Sequence, residues 1–205
     1  MVKLKPGNLR SMALDFNGLD RLILAAIADH LVPGLVLGAG RGGQVDRLAA
    51  HGQRQLEPEA APATLDTVYD LASLTKALVT SLLVMKGVEH GRLHLDRSLG
   101  DDLPQLADRP KVTLRRVLAH AAGLAAHRKF YESLLTVGAI RESGSTRESP
   151  LRPEHRRAVI ELAAREPLAY EPGSRSRYSD LGFILLGALL EKCLGERLDA
   201  LAERW

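Results

Sequence analysis

The run Tyr69-Asp70-Leu71-Ala72-Ser73-Leu74-Thr75-Lys76-Ala77-Leu78-Val79-Thr80 sets a serine and a lysine three residues apart, at the start of an apolar stretch with helical periodicity. On a helix, positions i and i+3 share a face. The Ser73 hydroxyl and the Lys76 amine can therefore lie side by side while Leu74, Ala77, Leu78 and Leu82 turn into a core. A hydroxyl beside an amine is the arrangement of a serine nucleophile and its activator in acyl transfer. The pair gains its meaning from a second motif elsewhere in the chain.

At 205 residues, 45% hydrophobic and 26% charged, the chain suits one domain, 1–205, of ordinary globular composition. A domain of this length buries roughly 70% of its unfolded surface and needs no staples. The net charge is only +3, and the small cluster Arg152, Arg156 and Arg157 is interleaved with Glu148, Glu154 and Glu161. That is a mixed solvated surface, so no nucleic-acid partner is expected. Cys193 is the single cysteine, which excludes an intramolecular disulfide and a cysteine-based metal site; it reads as a small buried hydrophobe. Met1 to Gly7 carries basic residues with no signal-like apolar run behind them, and Leu181–Leu190 is too short to span a bilayer. The expectation is a cytoplasmic protein with no membrane partner.

A first helix is expected from an Asn17 cap, with Asp20 three residues on and Leu19, Leu22, Ile23, Ala26, Ile27 and Leu31 on one face; Pro33-Gly34 stops it. Leu35-Val36-Leu37, a glycine-rich turn and Val45–His51 read as a two-stranded hairpin. Gly38-x-Gly40-x-x-Gly43 also matches a dinucleotide-binding fingerprint, although Gln44–Gln55 has weak helical periodicity; a dinucleotide-binding protein is the third functional alternative. A loop, Glu57–Thr67, leads to the Ser73 helix, which runs to about Glu89 and closes at Gly91. Leu93–Pro104 reads as an extended crossing segment, and Thr113 caps a short helix, Leu114–His120. Arg141–Pro150 reads as an exposed loop and Pro153–Arg165 as an amphipathic helix. Pro172-Gly173 then brings Tyr178 to the mouth of a strongly apolar helix, and Leu198 and Leu201 belong to a last one. The partition is helix plus hairpin over 16–55 and a mainly helical part over 68–205.

Four signatures in order make the chain similar to the amino-terminal part of the serine β-lactamase-like family of class C β-lactamases, D-alanyl-D-alanine carboxypeptidases and related esterases. They are Pro33-Gly34 before a strand, the S-x-x-K of Ser73 to Lys76, Leu118-Ala119-His120-Ala121-Ala122-Gly123-Leu124 resembling L-x-H-x-x-G-L, and Tyr178-Ser179-Asp180 resembling Y-x-N. The resemblance covers Leu19 to Trp205. It implies an α+β fold of the β-lactamase/DD-peptidase type, truncated, with the carboxy-terminal strands missing. It also implies Ser73 as the acylated nucleophile, Lys76 as the amine that helps remove its proton, and Tyr178 as the phenol that shuttles protons. A free phenol is only about 0.1% ionised at pH 7, a handicap of about 4 kcal/mol, so Lys76 and Tyr178 read as a coupled pair. Asp180 stands where many relatives have Asn, and is expected to hydrogen-bond Lys76. The two hydroxyls of the family's His-Thr-Ser-Gly are absent from His120-Ala121-Ala122-Gly123. A third motif, a K/H-[ST]-G strand supplying an oxyanion donor, would lie beyond residue 205. Losing one such donor costs about 2.7–4 kcal/mol of transition-state stabilisation.

His120 reads as a loop brace, and Glu166 as a solvated helix end. His30, His51, His90, His94, His127 and His155 show no ligand spacing, so neither a metal nor another cofactor is expected. The leading reading is a serine hydrolase acting through an acyl-enzyme on a small ester or amide. Its rival is a catalytically inert remnant or binding module. An unpaired inner edge of the hairpin would offer a surface for self-association.

Overall fold

The computed structural model describes residues 16–132 and 153–204. These fall into two compact units, one ending at Asp70 and the other starting at Leu71. The Arg141–Pro150 segment lies outside the described residues.

In the first unit, helix α1 spans Asn17–Ala28. Its N-cap position is Phe16, which makes no side-chain cap bond. The expected Asn17 cap is therefore corrected: Asp20 reaches across to Arg47 Nη2 at 2.6 Å instead of serving a capping box. The expected face is narrower too. Ile23 is buried, with Leu19, Ala26 and Ile27 half-buried, whereas Leu22 and Leu31 are exposed.

Strands β1 (Gly34–Arg41) and β2 (Gln44–Gln55) pair antiparallel, with Arg41 opposite Gln44. The two residues between them, Gly42 and Gly43, have φ of 60° and 83°. Positive φ at both central positions of a two-residue hairpin loop is the type I′ turn, whose twist matches the strands it joins. The glycines of the dinucleotide-like fingerprint thus make a hairpin that continues as a strand, and the dinucleotide reading is overturned. The sheet also has a third strand where a plain loop is expected. β3 (Ala61–Pro62) pairs with β2 at Gln53 and Gln55, in the order β1-β2-β3.

The second unit is built around a helix that is apolar on every side. Pro153–Arg165 forms α4 and Asp180–Leu194 forms α5, after α2 (Ser81–Glu89) and α3 (Leu114–Leu118); Leu198–Arg204 is α6. A helix without a polar face must be wrapped, and α5 buries Leu181, Leu185, Leu186, Leu189 and Leu190. Around it pack Leu83 and Val84 of α2, Val117 of α3, Ala163 and Ala164 of α4, and Leu201 of α6. Each fully buried leucine contributes about 1.5–3 kcal/mol.

The segment expected to cross in extended form instead makes two 3₁₀ turns, Leu99–Asp101 and Pro104–Leu106. Leu99, Leu103 and Leu106 recur at helical spacing and all three are buried. Helix α3 stops at Leu118, two residues early, because His120 adopts φ 54°. Cys193 is only half-buried. Among the described residues no helix is long and apolar enough to cross a membrane.

Candidate active site

Ser73 lies in the turn that opens the S-x-x-K helix. Ala72 just before it has φ 44°, a conformation that costs a non-glycine residue about 1–2 kcal/mol. Hydrogen bonds from Leu74 N–H to Leu71 O (2.9 Å), Thr75 N–H to Ala72 O (3.1 Å) and Lys76 N–H to Ser73 O (3.1 Å) hold this turn. The chain then passes through a π-helical turn, Lys76–Thr80, into α2.

The face expected to be buried is the exposed one. Leu74, Leu78 and Leu82 are 58%, 53% and 50% exposed, and Ala77 is exposed as well. The packed side carries Lys76, Thr80, Leu83, Val84 and Gly87, with Thr80, Leu83 and Val84 buried. This helix is apolar on two opposite sides, so periodicity alone does not select the core side. The consequence for the site is direct: Lys76, 19% exposed along its side chain, points inward toward α5.

Tyr178 lies in the segment leading into α5 and Asp180 is the first residue of that helix, and this stretch is laced to the His120 loop. His120 O accepts from Arg177 N–H (2.8 Å) and from Tyr170 Oη–H (2.9 Å), and Ala121 O accepts from Gly173 N–H (2.8 Å). Asp180 N–H donates to Ala126 O (2.8 Å), and Ser179 Oγ–H donates to Ala125 O (2.7 Å) while accepting from Gly182 N–H as the cap of α5. Gly123 makes the loop passable. It sits at φ 82°, and a Cβ there would fall 2.5 Å from Tyr170 O.

These supports bring the motifs together. Ser73 Oγ accepts from Lys76 Nζ at 3.2 Å and from Tyr178 Oη–H at 2.7 Å. Lys76 Nζ also donates to Asp180 Oδ1 at 2.8 Å and lies 5.1 Å from the centre of the Tyr178 ring. Partial burial pulls the Lys76 pKa down, but hydrogen bonds and charge from Asp180 and Tyr178 outweigh it, and the net direction is upward. The same ammonium, followed by the Ser73 hydrogen bond, lowers the Tyr178 phenol. Asp180 is lowered by Lys76 first and His127 second. The charges therefore separate as a lysine held cationic and a phenol eased toward ionisation.

His120 keeps to the loop: its Nδ1 accepts from Ser179 N–H at 3.1 Å, and its ring packs on Tyr178 and Phe183. Burial, then the Lys76 charge, lowers its pKa, in keeping with an Nδ1 that accepts a hydrogen bond. Glu166 is not a solvated helix end. Its side chain is 19% exposed and paired with Arg128, because the end of α4 packs beside the loop that carries Arg128. One neighbour, His127, carries no ligand spacing in the sequence and yet meets the site. His127 Nδ1 is 3.0 Å from Asp180 Oδ2, a partner 53 positions away that no local pattern announces.

Residues 19–205 match the family model described as Beta-lactamase. A candidate D-alanyl-D-alanine carboxypeptidase of Escherichia coli (strain K12) is 32% identical over 158 residues, 72% of this chain and 33% of its own. The octameric penicillin-binding protein homologue from Pyrococcus abyssi superposes with a TM-score of 0.72 at 26% identity, over 93% of this chain and 42% of that one. EstCE1, a hydrolase with promiscuous acyltransferase activity, gives a TM-score of 0.68 at 29% identity over 91% and 49%. The chain thus spans a third to a half of the length of these relatives.

Proposed function

Because the chain belongs to the beta-lactamase family of serine hydrolases and has the β-lactamase/DD-peptidase fold, we propose that it performs acyl transfer through Ser73 on a small ester or amide. The observation that carries this is the convergence of Lys76 Nζ and Tyr178 Oη on one oxygen, Ser73 Oγ, from motifs about a hundred residues apart. General base catalysis needs a positioned proton acceptor within hydrogen-bond reach, and the Tyr178 oxygen lies 2.7 Å from Ser73 Oγ.

Ser73 Oγ attacks the acyl carbon while its proton passes to the ionised oxygen of Tyr178, which the Lys76 cation stabilises. The tetrahedral adduct collapses by breaking the bond to the leaving group, which departs with the proton from Tyr178. Water then adds to the acyl-enzyme, its proton going to Tyr178 and from there to Ser73 Oγ as the carboxylic acid leaves. In this scheme Lys76 acts as a fixed cation more than as a base, since Asp180 holds its proton in place. The Ser73 backbone N–H is a donor to the developing oxyanion.

The test is a p-nitrophenyl ester mixed with the chain. The expected record is a burst of p-nitrophenolate equivalent to the protein present, then a slower phase, with both lost in Ser73→Ala. Release from the native chain no faster than from that variant contradicts the reading and leaves the inert remnant or binding module.

A further inference from the structure

The proton route just described leaves one side chain at the centre without a task. His127 Nδ1 meets Asp180 Oδ2 at 3.0 Å, the oxygen that Lys76 does not use. We propose that His127 is a positioning residue of the Ser73 centre: its Nδ1–H fixes the Asp180 carboxylate so that Oδ1 stays on the Lys76 ammonium and the ammonium stays on Ser73 Oγ. This rests on the acyl-transfer reading and deepens it.

A carboxylate needs such a clamp. The Cβ–Cγ torsion of an aspartate is broad, and its two oxygens are equivalent. Held by Lys76 alone, Asp180 can rotate and draw the ammonium with it, and the contact at risk is the longer one, 3.2 Å from Nζ to Ser73 Oγ. A second hydrogen bond to the other oxygen removes that freedom. The carboxylate also sets the tautomer: facing Oδ2, Nδ1 must carry the hydrogen, because a bare lone pair there would be repelled.

The plain alternative is a surface contact of small consequence, since the His127 side chain is 63% exposed. Its anchors argue otherwise. The two residues before it are tied to the head of α5, Ala125 O by Ser179 Oγ–H and Ala126 O by Asp180 N–H. Its own carbonyl accepts from Arg128 Nη1 at 3.0 Å, and Arg128 Nε in turn donates at 2.5 Å to the largely buried Glu166. The ring is exposed, but the backbone that aims it is held on both sides. A connected path therefore runs from the end of α4 through Arg128, His127 and Asp180 to Lys76 and Ser73.

The experiment is the rate at which a fluorophosphonate phosphonylates Ser73, followed by intact mass; the oxygen–phosphorus bond forms as the phosphorus–fluorine bond breaks, fluoride leaves, and the serine proton passes to the Tyr178 oxygen. His127→Ala and His127→Phe, the second keeping a ring without the donor, should each slow labelling by about tenfold or more, as expected when a catalytic group is displaced by an ångström or less. His127→Asn puts an amide N–H where Nδ1–H was and should stay within about threefold of native. Should the alanine variant not fold, the phenylalanine variant decides. Native rates in the donor-less variants, or an asparagine variant as slow as they are, overturn the inference and leave the function standing. A native chain that is never labelled at Ser73 removes the function and the inference together.

Discussion

Lys76 and Tyr178 illustrate how far single residues can be read. Their types, order and motif setting are local, so Ser73, Lys76, Tyr178 and Asp180 were all open to sequence reasoning. The Asp180 bond to Lys76 and the coupling of Lys76 to Tyr178 were open to it as well, but the net direction of the Lys76 pKa was not, because it depends on how far the fold buries the amine. His127 was hidden for the same reason: its partner is set by the fold and not by spacing. The pKa directions make a prediction. Labelling of Ser73 should rise with pH as Tyr178 loses its proton below the ordinary phenol range, then fall as Lys76 loses its proton above the ordinary amine range. Asp180→Asn removes the carboxylate that raises Lys76, so the descending limb should move to lower pH. A pH–rate profile checks it, and an unmoved limb contradicts it.

At the scale of elements, α4 and α5 were plain because each has a strong start signal and a single reading of its apolar positions. Pro153 opens one, and Ser179 caps the other ahead of a leucine-rich run. The S-x-x-K helix was misread because it is apolar on two sides, and the residues that mark its packed side include a threonine and a glycine. The 3₁₀ turns were missed because three-residue elements leave too short a pattern. Neighbouring leucines test the corrected orientation. Leu83→Ala, at a position 3% exposed, should lower unfolding free energy by about 2–5 kcal/mol, and Leu82→Ala, half-exposed, by under about 0.5 kcal/mol. Denaturant titration of the two variants reads the difference, and equal losses would put the core on both sides of the helix.

For the molecule as a whole, the candidate site is contained in the unit that starts at Leu71, and its contributors all hang from elements that pack on α5. The outward face of α2 is different in kind. Leu78 of the π-helical turn, Leu82 and Met85 of α2 and Ala202 of α6 border a cavity of about 500 Å³, with Lys86 and Glu89 at its lining, that contains none of the site residues. The family and the general fold were legible because ordered motifs survive in a chain that spans only part of its relatives' length. The third strand was not, since its two residues, Ala61 and Pro62, leave too short a pattern to read, and neither was the placement of the apolar face, which depends on packing against the distant α5. The central claim, that Ser73 is an activated nucleophile, is tested most directly by incubating the folded chain with a fluorophosphonate and measuring intact mass and peptide map. The account predicts one adduct, on the peptide containing Ser73, and none in Ser73→Ala. A folded chain that takes up no adduct, or an adduct that survives Ser73→Ala, would contradict it.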